Sequence, residues 1–461
     1  MIKRITFIIL LVNILSSPPE LFCQVHERPN QSVPFNFRYF QIDYGVSGAR
    51  ANSLGGAFIG VADDATAATI NPAGLTVLTR LETSAHILLR RSEIKELAGS
   101  REKWNKKKDY SHLETDLSYG NITVPFKKFT FAGYWDVKSH NTSQFEYEQV
   151  VTSELKLPLT LPQMLQCIGT CPGCKVHSNL QVMNLGLSVA YPFITYRLSL
   201  GFSLQVTKLD FSLSETQYFD ASLLKGDFNL KGNIAENIYS IRTIDESDWD
   251  FSYSLGMLFK PTSRLSVGLV YNKYPELQVN SEIFYPTFFI DNSTFLQVKA
   301  ENEKINLKVP DSYGIGLYYK ITDWLRISAD MIRIKYSDIL QDSLVNVIKV
   351  YDESGKSSIP YNFPDLKIND ATEFHFGVEY LLPLKKVKFA LRGGIYNDPF
   401  HFPYAVDDNP TLKILFPKEK DLIHFTAGFG FGIKNITIDF AAKVSTQLKE
   451  IESIFSLGMR L

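Results

Sequence analysis

"FSYSLGMLF", residues 251–259, sets Phe251, Tyr253, Leu255, Met257 and Phe259 on one face of an extended chain and Ser252, Ser254 and Gly256 on the other. A period of two is the signature of a β-strand with one apolar and one polar face. The same reading extends outward. "LSVGLVY" (265–271) sets Leu265, Val267, Leu269 and Tyr271 against Ser266 and Gly268, and "LSLGFSLQV" (198–206) repeats the pattern. "IHFTAGFGFGI" (423–433) and "ITIDFAAKV" (436–444) alternate in the same way. Each run is close to the ~9–11 residues that a tilted strand needs to cross a bilayer.

The connections are lopsided. Tight turns are expected near 125–128, 192–195, 260–263, 321–324, 382–386 and 433–435. Long polar stretches fall between these hairpins, near 93–114, 139–180, 208–249, 275–310, 337–371 and 398–421. Short turns on one side and long loops on the other mark an outer-membrane β-barrel. The predicted strands are 82–92, 115–125, 128–138, 181–192, 196–207, 250–260, 264–274, 311–321, 324–336, 372–382, 386–397, 422–432, 435–445 and 451–461, about fourteen in all. A soluble sandwich would turn its apolar faces inward, which fits neither the strand length nor the one-sided loops. A propeller would show an internal repeat of fixed period, and none is present.

Composition agrees. Lys and Arg number 48 against 49 Asp and Glu, so no basic stripe points to nucleic acid. After the first 24 residues no apolar run is long enough for a membrane helix. Those 24 residues read as a secretory signal. Lys3 and Arg4 precede "ITFIILLVNIL", "SSPPELFCQ" breaks the run, and cleavage is expected near Cys23–Gln24. Lipidation of Cys23 is the alternative, but Glu20, Leu21 and Phe22 match poorly the small residues such a site needs. The expected division is therefore a signal over 1–24, a lumenal segment over 25–81, and the barrel over 82–461.

"GGAFIGVADDATAATINPAGL" (55–75) is too polar for a membrane helix and too poor in large side chains to form a core. In a barrel too wide for its own side chains to fill, such a segment can pack as a plug against Ser- and Gly-rich walls. Asp63 or Asp64 can cap a short helical turn over 65–69. Pro72 pushes Asn71 out of the helical region, and Gly74 permits a reversal. A helix stop followed by an ordinary turn explains the same residues equally well.

Residues 51–75, "ANSLGGAFIGVADDATAATINPAGL", resemble the N-terminal signature of the FadL-like long-chain fatty acid transporters, the OMPP1/TodX group. They also resemble the related PorV-type proteins of the type IX secretion system. The matching elements are Gly55, Gly56 and Ala57, then Ala62–Ala65 with Asp63 and Asp64, then Asn71, Pro72, Ala73, Gly74 and Leu75. The resemblance implies a fourteen-stranded barrel with an N-terminal hatch, Asn71–Gly74 being the hatch motif. It further implies that apolar ligands land on external loops and leave through a wall opening beside the hatch. The terminal Leu461 departs from the Phe common at that place in outer-membrane barrels.

Two loops carry candidate chemistry. "FYPTFFI" (284–290) concentrates Phe284, Tyr285, Phe288, Phe289 and Ile290 in a loop. They form either an apolar capture groove or packing between neighbouring loops. "LPLTLPQMLQCI" (157–168) could add an amphipathic helix to such a groove. Cys167, Cys171 and Cys174 lie in the same loop, near His177. An exported chain favours a disulfide among the three, with the pairing open. A surface zinc site using these cysteines and His177 is the weaker alternative, so no metal and no cofactor is expected. No nucleophile elbow, HExxH or phosphate-binding glycine loop is present, so no enzyme is expected.

The expected function is passive uptake of hydrophobic small molecules, such as long-chain fatty acids, across the outer membrane of a Gram-negative bacterium. The expected partners are outer-membrane lipid and an apolar ligand, with no nucleic acid. The alternative is a non-transporting barrel that docks secreted proteins, and so has secretion-system partners. A transporter needs a kinked or interrupted wall strand, whereas a docking barrel needs only a wide mouth. The sequence leaves the oligomeric state open.

Overall fold

The computed structural model describes residues 44–97, 107–147, 173–194, 197–218, 230–231, 238–284, 288–290, 294–296, 301–339, 366–384, 387–401, 404–406, 418, 420–445 and 449–461. The expected signal segment 1–24, the stretch 25–43, the segment 157–168, Cys167, Cys171 and Tyr285 lie outside the described residues.

The first half of the wall consists of β1 (Glu82–Leu97), β2 (Lys107–Phe126), β3 (Phe129–Tyr147), β4 (Gly173–Ile194) and β5 (Leu198–Tyr218). Past a short β6 (Leu230–Lys231), it continues with β7 (Ile238–Phe259), β8 (Leu265–Lys273) and β9 (Glu276–Phe284). The fragments β10 (Phe288–Ile290) and β11 (Thr294–Leu296) precede β12 (Glu301–Lys308), β13 (Ser312–Lys320) and β14 (Leu325–Ile334). After β15 (Leu366–Lys367) come β16 (Ala371–Pro383), β17 (Lys388–Asp398), β18 (Tyr404–Ala405), β19 (Leu422–Ile433), β20 (Ile436–Ser445) and β21 (Lys449–Arg460).

Sixteen of these segments form one antiparallel sheet, which the β7–β8 pairing closes into a ring. β8 and β9 are two halves of one wall strand, parted at Tyr274–Pro275, and β12 and β13 are halves of another, parted at Val309–Pro310–Asp311. Counting each pair once leaves a barrel of fourteen strands. Proline has no amide hydrogen to give a ladder, which suits it to such breaks. Asp311 repairs the gap by accepting from the Tyr274 amide at 3.0 Å and from Lys273 Nζ at 2.6 Å.

Alternation sets the two faces. Leu185, Leu187, Leu204, Phe251 and Leu255 are exposed on the outside, while Ser188, Ser203, Gln205, Ser252 and Ser254 are buried on the inside. An apolar band outside and a polar lining inside suit a wall between lipid and lumen. No helix among the described residues is long and apolar enough to cross a membrane.

Strand positions follow the alternation closely at the short-turn end and diverge at the other. β4, β5 and β7 run on well past the expected limits, to Gly173, Tyr218 and Ile238. Much of the polar sequence expected to be loop is thus strand. Beyond the bilayer both faces meet water, so the apolar period fades although main-chain pairing continues.

Candidate functional site

Residues 44–78 pack inside the ring. A short helix, α1 (Ala49–Ser53), leads through Gly55 and Gly56, both at positive φ, to α2 (Ala67–Ile70) and a 3-10 turn, Pro72–Val77. Ala57, Phe58, Ala67, Ala68, Ala73 and Leu75 have no exposed surface. The small residues find their enclosure in the glycines of the wall. A Cβ on Gly201 would stand 2.2 Å from the Ala73 amide nitrogen, and one on Gly268 would stand 2.2 Å from the Ile59 carbonyl oxygen. Plug and wall thus meet backbone to backbone. The inward serines close the remaining gaps, since Ser188 Oγ and Ser203 Oγ each donate to Ala68 O at 3.0 Å.

Asn71 ties the plug to itself and to the wall. Its Nδ2 donates to Ile59 O at 2.9 Å and to Met257 O of β7 at 3.1 Å, while its Oδ1 accepts from the Ala73 amide at 3.3 Å. Asn71 is extended, at φ −151°, as the residue before a proline should be, and Pro72 opens the 3-10 turn. Gly74 plays a different part from the expected reversal. It sits inside that turn, and a Cβ there would stand 2.1 Å from Ala62 O, so the requirement is close approach.

The two aspartates divide their work. Asp64 Oδ1 accepts from the Thr66 amide at 3.0 Å just before α2. Asp63 and Asp64 both receive Arg50 Nη1, and Arg50 Nε reaches Glu379 Oε1 of β16 at 3.2 Å. Glu379 is also bound by Arg392 Nε of β17 at 2.8 Å and by Arg326 Nη1 of β14 at 3.3 Å. Burial disfavours the charge on Arg50, but Asp63, Glu379 and Asp64 outweigh it and raise its pKa well above the ordinary value. On the same stretch of wall, Asp330 Oδ2 of β14 accepts from the Ile59 amide at 2.7 Å, and on the other side of the lumen Tyr119 Oη of β2 donates to Ala65 O at 2.9 Å.

The wall is discontinuous beside the plug. β2 and β3 pair from Phe126–Phe129 only as far as Tyr119–Asp136. Above this point β2 pairs with β1 and β3 with β4. Register shifts mark the divergence, one opposite His86–Ile87 that skips Ser118 and one that skips Lys138 in β3. A bulge of this kind bends its strand. Ladder partners show the direction. Asp116 pairs with the buried Leu88 and so faces the lumen, whereas His140 pairs with Gln181, on the face that carries Leu185 and Leu187 to the outside. His140 Nδ1 nevertheless lies 2.6 Å from Asp116 Oδ2. The outer face of β3 therefore lies against the inner face of β2, and the wall closes as a lapped seam. The plug meets its foot, where Ser47 Oγ donates to Asp136 and Leu75 and Leu78 pack with Tyr119 and Tyr134.

The loop candidates are placed only in part. Phe284 ends β9, and Phe288–Ile290 pair with β11 and with Leu230–Lys231 in a small three-stranded sheet. The side chains from Phe284 to Ile290 lie outside the described residues. Cys174 falls within β4, opposite Tyr147 and Gln217, and His177 is exposed on the same strand. No cluster of three His, Cys, Asp or Glu able to hold a metal occurs among the described residues. Sequence reasoning missed Arg50, Glu379, Asp116 and His140. Arg50 is conspicuous as a single cation among small residues, but nothing local names its partners.

No protein of curated function matches the chain by sequence. Solved structures of FadL- and TodX-type channels share the fold, among them the following three. A Pseudomonas aeruginosa FadL homologue is 13% identical, with 90% of this chain and 98% of that one covered and a TM-score of 0.61. The P. putida toluene transporter TodX is 16% identical, with 91% and 99% covered and a TM-score of 0.58. The CymD monoaromatic hydrocarbon channel is 15% identical, with 91% and 99% covered and a TM-score of 0.56. Residues 40–451 match the family model described as outer membrane protein transport protein (OMPP1/FadL/TodX). The chain belongs to this family of outer-membrane barrels, which are transport channels for hydrophobic compounds rather than enzymes.

Proposed function

We propose that this barrel carries hydrophobic small molecules, long-chain fatty acids among them, passively from the cell exterior to the outer-membrane bilayer. Residues 25–81 serve as its hatch, and residues 1–24 direct export and are removed. The observation that supports this best is the lapped seam between β2 and β3 beside the plug. A ligand too apolar for the periplasm is spared it by leaving sideways into lipid. A barrel that only docks secreted proteins has no use for an interrupted wall. Capture falls to the aromatic segment Phe284–Ile290, which can hold an apolar ligand without recognising a head group. Each Phe buried by the ligand contributes about 1.5–3 kcal/mol before the cost of ordering the loop.

The test is uptake of a labelled long-chain fatty acid, with toluene as a second arm, in a strain that lacks its own transporter. Wild-type protein should restore uptake of at least one. Phe288→Ala with Phe289→Ala should weaken capture by about tenfold or more, since tenfold needs only ~1.4 kcal/mol. Failure of the wild type to bind or pass either probe would refute transport and leave the docking role in its place.

A further inference from the structure

We infer that Asp116, His140 and Arg90 form a latch that holds the lapped seam shut, and that a ligand passes from lumen to bilayer only when the latch parts. The inference rests on the transport reading above. Most of the wall is sealed by main-chain ladders, although β7 has a second break, between its pairing with β9 at Ile241–Thr243 and its pairing with β8 at Tyr253–Phe259. Parting a ladder in lipid strands several amide and carbonyl groups at once, each at a cost of several kcal/mol. Between β2 and β3 the ladder stops at Tyr119–Asp136, so the strands above it are joined through side chains. The seam is therefore a part of the wall that can open without parting a ladder, and the contacts across it set how easily.

Those contacts converge on one residue. His140 Nδ1 lies 2.6 Å from Asp116 Oδ2, and Arg90 Nη1 donates to His140 O at 2.6 Å. His140 Nε2 lies 2.9 Å from Asn179 Oδ1 of β4, so the imidazole is held from both sides and moves with the β3–β4 sheet. Arg90 is fixed to the opposite half, with Nη2 3.5 Å from Glu452 Oε2 of β21, and Lys443 Nζ holds the same carboxylate at 2.6 Å. One half of the latch thus belongs to β1, β2 and β21 and the other to β3 and β4. Asp116 and His140 are each mostly buried, at 14% and 17% exposure, which limits their exchange with water. A charge-assisted bond in such a place is worth more than a surface pair.

Two measurements test the latch. Thr142 follows His140 on the same face of β3, opposite Asn179, the face that meets β2 at His140–Asp116. A Thr142→Cys probe, in protein whose native cysteines are changed to Ser, reports opening through its labelling by a lipid-soluble maleimide. His140→Ala and Asp116→Ala should each raise the labelling rate about three- to tenfold, as expected for loss of one charge-assisted bond from a minor-state equilibrium. Fatty acid uptake should rise in parallel. Asp210→Ala, which breaks the exposed Lys208–Asp210 pair elsewhere on the wall, should change neither. In the second measurement, Asp116→Cys with His140→Cys is bridged by a short bifunctional methanethiosulfonate, which should abolish uptake until reductant restores it. Unchanged Thr142→Cys labelling in both alanine variants would overturn the latch, as would full uptake by the bridged protein. If labelling rises as expected while wild-type protein passes no ligand, the latch stands and the transport reading fails. Heat-modified gel mobility confirms that every variant is a folded barrel.

Discussion

Replacing Arg50 with alanine should loosen the plug without unfolding the barrel, and the structure sets the size of the effect. The guanidinium meets Asp63, Asp64 and Glu379. Stranding a buried charge costs about 3–5 kcal/mol. Here the stranding is partial. Glu379 keeps Arg392 at 2.8 Å and Arg326 at 3.3 Å. Asp63 and Asp64 are 27% and 23% exposed and can regain water. What remains is the net loss of one or two charge-assisted hydrogen bonds, about 2 kcal/mol. That corresponds to a ~30-fold rise in the population of undocked plug. Amide hydrogen exchange followed by mass spectrometry reads this directly. Peptides covering 57–62 and 67–74 should exchange ~30-fold faster in Arg50→Ala, with strand amides unchanged. Arg50→Lys should fall between, because one ammonium cannot span the three carboxylates as a planar fork does. Plug exchange at the wild-type rate would refute the assignment. So would acceleration spread equally over plug and strands, because Arg50 would then support the barrel rather than the docking of its plug.

Gly256→Val sets a Cβ 2.3 Å from Asn71 Oδ1 and 2.8 Å from Pro72 Cδ, so the plug must shift, and trypsin should then cut after Arg50 in folded barrels that resist it as wild type. Asn71→Ala removes the bonds to Ile59 O, Met257 O and the Ala73 amide and leaves the Ile59 and Met257 carbonyls short of a donor, and plug amides should exchange ~5- to ~150-fold faster, about 1–3 kcal/mol. Leu187→Arg lies on the lipid face, where Leu187 is 72% exposed, and should destabilise the barrel by about 2–4 kcal/mol in urea titrations of vesicle-inserted protein. Cys171 should be oxidised with Cys167 or Cys174 in protein from intact cells, and three thiols alkylated without reductant would contradict this.

Much of the wall can be read from local sequence because strand alternation is a local property. Leu255 and Ser254 differ by one position, and one position is a change of face. The short turns at 127–128 and 434–435 stand where the apolar period breaks, and Lys127 and Lys434 take the positive φ of tight reversals. "ADDA" and "NPAG" likewise announce a segment of small residues that must be enclosed. The sequence by itself therefore determined a lipid-facing barrel with an interior segment to house. Tertiary structure alone decided where the ladder of that barrel is interrupted. Whether β3 pairs with β2 along its whole length depends on register between strands and on bulges at Ser118 and Lys138, which leave no mark on the period of either strand. His140 reads as an ordinary polar residue in a polar stretch, and only the inward step of β3 brings it to Asp116. Glu379 reads as one more inward-facing polar side chain, and three arginines, from the plug, β14 and β17, give it its role. Periodicity is set within a segment by the geometry of the extended chain. Seams, latches and buried ion pairs are set between segments, by contacts that no local pattern encodes.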